Sequence, residues 1–197
     1  MLNLIKNISL NQKQREIIKG FGTLKKEHWQ KNQTRLRKKI TSDLKELQNN
    51  RCVYCGCEIL DTPDVEHIAH KARYPQFLFT PPNLALSCKT CNQMYKGETD
   101  IIEILDQDYL KCKFLMVHPY IDDVNHYFDT SKIIILKKKG LTPAENVKAD
   151  YTIKILHWDE EAVRNRRARE ATSLMYCTEH VTTLDQELIK NTLQFHP

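Results

Sequence analysis

An α+β fold, mostly helical around a small cysteine-rich centre, is what this sequence predicts, on three observations. Good helix formers uninterrupted by proline occupy Gln12–Ile18 and about Leu24–Leu47, with Gly20 and Gly22 marking the break between them. Five of the seven cysteines crowd into Cys52–Cys91. Ile-rich runs at Lys132–Leu136 and Tyr151–Leu156, separated by Gly140, Pro143 and Asn146, predict a C-terminal β-hairpin.

Taken in order, the second helical stretch carries Leu24, Trp29, Leu36, Ile40, Leu44 and Leu47 at roughly helical spacing, which predicts a core-facing stripe. Arg35, Arg37, Lys38 and Lys39 project from the remaining surface. Residues 1–51 hold 13 Lys and Arg against 4 Asp and Glu, a balance of +9 within a net charge of +5, so the basic charge lies at one end. Such a block suits contact with a phosphate backbone, with a solvated helix face as the bland alternative. Thr99–Leu105 reads as a short helix. Asp159, followed by Glu160 and Glu161, sits where the cap of a further helix belongs, and a last helix is expected over Leu184–Leu193. Arg164, Arg166, Arg167 and Arg169 read as a solvated helix face or a second contact surface. The resulting division is a basic helical lead (1–50), a cysteine-rich module (51–98) and an α+β extension (99–197).

No run reaches the 18 or more apolar residues of a membrane span, and Asn3, Lys6 and Asn7 interrupt Met1–Leu10 where a signal peptide would be apolar. A cytoplasmic location with no membrane contact is therefore expected. In a reducing compartment clustered cysteines bind metal more readily than they form disulfides.

Cys52-Val-Tyr-Cys55 and Cys88-Lys-Thr-Cys91 are two C-x2-C knuckles, each able to grip one side of a tetrahedral zinc. Four thiolates close the coordination sphere, which makes this zinc structural. Residues 56–87 separate the knuckles, a stretch longer than that of an ordinary zinc ribbon, so something is inserted between them. Cys57 offers an alternative ligand in place of Cys55, whereas Cys112 and Cys177 stand alone as core residues.

The insert reads Asp64-Val65-Glu66-His67-Ile68-Ala69-His70-Lys71, then Asn83-Leu84-Ala85-Leu86 before the second knuckle and Asn92. Cys-x2-Cys, acidic-His-Ile, Asn-Leu-x-Leu and Cys-x2-Cys-Asn with a lysine four residues on together resemble the zinc-containing HNH endonucleases over Arg51–Gly97. The resemblance implies a ββα-metal core, with His67 as general base, Glu66 and Asn92 holding a catalytic Mg²⁺ or Mn²⁺, and Asn83 orienting the base. Imidazole titrates near neutral pH, as such a base must, and oxygen ligands suit those cations. Neighbouring strand residues point to opposite faces, so a strand end or bulge is expected at Glu66-His67. Two positions depart from the family pattern. His70 stands where many members have proline, filling a turn or binding metal or phosphate. Asp64 lies on the same strand face as Glu66 and competes with it as a ligand. Lys96 would contact phosphate or cap the helix after Cys91.

The layout, together with His118-Pro119-Tyr120-Ile121-Asp122-Asp123, is similar to stand-alone HNH proteins of bacterial antiphage systems, the retron-associated and Septu PtuB-type nucleases. That resemblance implies a partner ATPase. The expected function is metal-dependent cleavage of nucleic acid, DNA in the first instance, with Arg35, Lys38, Lys39 and Lys96 on the backbone. The alternative is a zinc-knuckle protein that grips nucleic acid without cutting it and has no use for Glu66, His67 and Asn92.

Overall fold

The structure, a computed structural model, describes residues 1–31 and 35–180. Helix α1 (Gln12–Lys19) opens on a capping box, in which the Asn11 side chain accepts from Gln14 N at 2.9 Å and the Gln14 side chain accepts from Asn11 N at 2.7 Å. The second helical stretch contains α2 (His28–Lys31) and α3 (Leu36–Gln48). Its apolar stripe packs as expected: Trp29, Leu36, Ile40 and Leu44 are buried, and Leu24 and Leu47 pack against the same core. Asn49 and Asn50, both at positive φ (49° and 54°), terminate α3. Asparagine tolerates that left-handed backbone better than most residues.

Two strands and a helical segment follow. Strand β1 (Asp64–His67) pairs antiparallel with β2 (Leu84–Ser87), in the unbroken register Asp64↔Ser87, Val65↔Leu86, Glu66↔Ala85, His67↔Leu84. The chain then winds as a π-helix over Thr90–Lys96 and stops at Gly97, whose φ of 52° suits a residue without Cβ. Helix α3 is tied to this unit by Gln48, buried with both ends of its amide in use. Its Oε1 accepts from Leu86 N at 2.7 Å, and its Nε2 donates to Leu86 O at 3.0 Å and Arg51 O at 2.8 Å.

The extension departs from expectation in two places. Thr99–Leu105 is not a helix: Ile102–Ile104 forms β3, paired antiparallel with β4 (Lys113–Phe114). Consecutive β-branched residues at Ile101 and Ile102, both buried, favour a strand once a partner strand is present. After α4 (Val124–Tyr127), a C-terminal hairpin does form, but from β5 (Phe128–Asp129) and β6 (Leu136–Lys137). Tyr151–Leu156, expected as its second strand, lies instead in and just beyond α5 (Pro143–Ile155). Thr142 caps that helix, Pro143 opens it, and Glu145 completes a capping box, a start signal that outweighs the Ile-rich run behind it.

Helix α6 (Glu161–His180) begins two residues after Asp159. Two of its four arginines are partly buried and bonded: Arg166 donates to Cys88 Sγ at 2.9 Å, and Arg167 donates to the carbonyls of Cys55, Thr130, Lys132 and Ile133. Glu170 adds an ion pair to Arg51 at 2.8 Å and accepts from Glu58 N at 3.1 Å. Gly56 (φ 72°) lets Arg167 approach, since a Cβ there would meet the guanidinium at 3.2 Å. Leu184–Leu193 lies outside the described residues, as does the side chain of Cys177. Among the described residues no helix is long and apolar enough to cross a membrane.

Truncating Gln48 leaves buried backbone groups of β2 without their partner. Gln48→Ala is therefore expected to destabilise the fold by about 2 kcal/mol, measured as a shifted urea midpoint at constant zinc with an unchanged slope.

Candidate active site

The first knuckle is shaped by backbone: Gly56 N donates to Cys52 O and Cys52 N donates to Cys57 O, both at 2.9 Å, turning the chain so that Cys52 and Cys55 share one side. The second knuckle follows directly from the end of β2. Cys52, Cys55, Cys88 and Cys91 are buried, unbridged, and have all four sulfurs within 4.8 Å of one another. A tetrahedral zinc with bonds of about 2.3 Å sets its sulfurs roughly 3.8 Å apart, so the donor set and spacing fit a structural zinc. Cys57, the alternative ligand, lies outside this set, with its thiol directed to Cys55 O at 4.0 Å.

A cleft of about 400 Å³ opens beside the ββ-helix unit, lined by Asp64, Glu66, His67, Asn92 and Gln93 on one side and by Trp29, Gln30, Arg37, His70 and Lys71 around its rim. Strand alternation puts Asp64 and Glu66 on one face of β1, towards Thr90–Lys96. Asp64 Oδ2 accepts from Asn92 Nδ2 at 3.0 Å and from Gln93 Nε2 at 2.7 Å, which leaves the Asn92 carbonyl oxygen as a donor to a cation. Glu66 is buried; its Oε1 accepts from Tyr54 Oη at 2.9 Å and pairs with Lys96 Nζ at 2.7 Å. Lys96 itself has no exposed surface, and its ammonium also reaches His67 O at 3.4 Å. The expected role of Lys96 on phosphate is thereby corrected: its charge offsets that of a buried carboxylate.

His67 is the last residue of β1. Its Nε2 lies 3.1 Å from Leu78 O, a partner that only accepts, so the ring proton is on Nε2 and Nδ1 carries the lone pair. Nδ1 is buried without a protein partner. The Trp29 indole meets the imidazole edge-on at 4.6 Å, and Arg37 lies over the indole at 5.6 Å. Burial first, then the charge of Lys71, pushes His67 down to about 3, so the ring is neutral. His70 is half-buried, 3.7 Å from Glu98, and its pKa is lowered chiefly by burial.

Asn83 is fully buried and uses both ends of its amide. Oδ1 accepts from Ala69 N at 2.6 Å and Tyr109 Oη at 2.9 Å, and Nδ2 donates to Ala69 O at 3.2 Å and Phe77 O at 3.0 Å. It thus clamps both ends of the loop between His67 and Leu78.

The cleft therefore assembles Glu66, His67 and Asn92, supported by Asn83. Arg35, Lys38 and Lys39 are exposed on α3 and line no part of it, and Lys39 is paired with Asp43. The sequence reading passed over Arg37 and Lys71 as cleft cations, and Trp29 as the cover of His67. Arg37 lies over the Trp29 indole, a contact that the charge count alone does not carry.

Residues 52–98 match the HNH endonuclease family. The match covers about a quarter of this chain. Over 80 residues the chain is 32% identical to protein ea31 of Escherichia phage lambda, covering 41% of this chain and 24% of that protein. Over 120 residues it is 29% identical to Septu protein PtuB of Bacillus thuringiensis, covering 59% of this chain and 40% of PtuB. The chain thus spans less than half the length of either relative. The HNH match and the four-cysteine cluster make this chain similar, over part of its length, to these two proteins.

Elemental analysis of the folded protein should find one tightly held zinc per chain, lost together with solubility in Cys88→Ser, because metal binding in such modules is part of folding. A second expectation concerns acid. Burial, then Lys148, pushes His118 down to about 3, well below an ordinary imidazole near 6.5. The unfolded chain takes up that proton below about pH 6.5 and the folded chain does not. The contribution of His118 is complete above that pH and falls as the pH drops towards 3, by up to about 1.4 kcal/mol per unit. His118→Gln should show a shallower loss of stability between pH 6.5 and 4.5 than the parent, read from denaturant midpoints.

Proposed function

We propose that this HNH domain hydrolyses the phosphodiester backbone of nucleic acid, DNA in the first instance, with His67 as general base. The observation that carries the reading is the orientation of His67: the Leu78 carbonyl holds its proton on Nε2, leaving a buried, unpartnered Nδ1 on a residue that lines the same cleft as Asp64, Glu66 and Asn92. A neutral imidazole with a free lone pair takes a proton from an attacking water without first losing one. Asn83 holds the adjacent Phe77 carbonyl, one residue before Leu78. Arg37 and Lys71, at the rim, bind the phosphates flanking the scissile one, and Arg35, Lys38 and Lys39 extend the basic surface along α3.

Glu66 and Asn92 would hold a catalytic Mg²⁺ or Mn²⁺, with Asp64 as a third oxygen donor. The all-oxygen donor set on one side of the cleft suits those cations, and such an ion would neutralise the phosphate and stabilise the leaving oxygen. The similarity to PtuB over 120 residues supports a place in a bacterial antiphage complex in the cytoplasm, with a partner ATPase.

Purified protein should cleave plasmid DNA in Mg²⁺ or Mn²⁺ and not in chelator weak enough to spare the zinc. His67→Ala should reduce cleavage by about 10²-fold to 10⁴-fold while DNA still binds. Asp64→Ala, Glu66→Ala and Asn92→Ala should recover part of their lost rate at raised Mn²⁺, whereas His70→Ala should be mild. Full cleavage by His67→Ala would sink the assignment. DNA bound but left intact under every metal would point to the non-catalytic zinc-knuckle reading.

A further inference from the structure

Two buried polar side chains outside the HNH domain's own motif, Tyr109 and His118, have no role in the chemistry described so far. They are joined to it through a directed chain of hydrogen bonds. Tyr120 N donates to His118 Nδ1 at 3.2 Å, so Nδ1 is the acceptor and Nε2 carries the proton. His118 Nε2 lies 2.9 Å from Tyr109 Oη and donates to it. With its lone pair engaged, the Tyr109 hydroxyl donates onward to Asn83 Oδ1 at 2.9 Å. Every polarity in the chain follows from the one before it.

The last of these bonds reinforces the way the Asn83 amide faces. An asparagine flipped by half a turn would set Nδ2 against the Ala69 N–H and Oδ1 against the carbonyls of Ala69 and Phe77, losing three backbone bonds. Tyr109 adds a fourth bond to the rotamer in which Nδ2 holds Phe77 O at 3.0 Å. Phe77 immediately precedes Leu78, whose carbonyl holds the His67 proton on Nε2. The relay is dry: Tyr109, His118 and Asn83 are each at most 3% exposed, and Phe77 and Phe114 pack against the Tyr109 ring at 4.9 and 5.4 Å. In such surroundings a missing partner is not replaced by water.

We propose that Tyr109 and His118 are positioning residues for the nuclease centre, setting the tautomer of His67 through Asn83 and the Phe77-Leu78 backbone. The His-Pro-Tyr-Ile-Asp-Asp stretch acquires a function in this way. Asp122 accepts from His118 N at 2.6 Å and pairs with Lys148 at 2.7 Å, which fixes the turn that aims the imidazole. The extension then completes the site instead of merely following it.

This inference rests on His67 being the base, and its test includes a readout that does not. In the full chain with zinc bound and histidine labelled with ¹⁵N, the His67 resonances are assigned by their disappearance in His67→Ala. The parent should show the Nε2-protonated tautomer. Tyr109→Phe, which keeps the ring, and His118→Leu should each give a mixture of tautomers and lower kcat about tenfold with KM unchanged, the equivalent of one lost buried hydrogen bond. Thr152→Val is the matched control. It removes a buried hydroxyl bonded to Val117 N and Lys148 O, outside the relay, and should lower stability without moving either readout. A parent that cuts no nucleic acid, yet whose His67 tautomer shifts in Tyr109→Phe, would overturn the nuclease reading and uphold the relay. An unchanged tautomer in both Tyr109→Phe and His118→Leu would overturn the relay, whatever the activity.

Discussion

Four thiols gathered within 4.8 Å of one another set the geometry of everything around them. Their sulfurs come from two turns far apart in the chain, and a shared cation is what makes that crowding favourable, since four unliganded thiolates would repel and four thiols would leave their hydrogen-bonding capacity largely unused. Once the knuckles are joined, Val53 N bonds to Leu86 O at 2.8 Å, fixing the first knuckle beside β2. Because Cys88 and Cys91 flank the start of Thr90–Lys96, the same junction sets where that helical segment leaves the sheet. Asn92 follows the last sulfur by a single residue, so its distance from β1 is dictated by the metal site.

The zinc junction is also where α6 returns. Arg166 donates to the Cys88 sulfur and Arg167 to the Cys55 carbonyl, one residue from each knuckle in their own helix. A Cys₄ zinc centre carries two net negative charges, and a guanidinium donating to one thiolate offsets part of that charge where water is excluded. A helix with no strong apolar stripe is thereby held by directional polar contacts to backbone and sulfur. An amphipathic pattern therefore carries no trace of this docking, and the arginine spacing alone left a solvated face and a contact surface both open.

Legibility followed the range of the interaction. The zinc ligands, the apolar stripe of α3 and the Glu66, His67, Asn83, Asn92 constellation were all readable, because each depends on residue type at fixed short spacing. The strand at Ile102–Ile104 was not, since a three-residue strand is decided by its partner at Lys113–Phe114. Helix α5 was legible in principle through Thr142, Pro143 and Glu145, but the β-branched run behind them was given more weight. Lys96 was misread because position in a motif says nothing of burial. The same residue four places after Asn92 serves phosphate if it points outward and Glu66 if it points inward, and the π-helical winding of Thr90–Lys96 turns it inward. Trp29 over His67 lies furthest from any sequence rule, joining the basic lead to a residue 38 positions away.

The strand geometry resolves how two neighbouring residues, Glu66 and His67, come to line one cleft. On a continuing strand Glu66 and His67 would face opposite sides of the sheet, and a bulge was one way to bring them together. The register of β1 with β2 is unbroken, so no bulge is used. Instead β1 ends at His67: Ile68 N bonds to Asn83 O at 3.0 Å, and Ala69 is held by the Asn83 side chain, turning the chain out of the strand direction. The His67 ring is buried against Trp29 at the end of β1, and one cleft is lined by His67 together with Asp64 and Glu66. The middle asparagine therefore does two things by one set of bonds. It holds Ile68 and Ala69 just beyond the end of β1, and it holds Phe77 O, one residue before the Leu78 carbonyl that meets His67 Nε2.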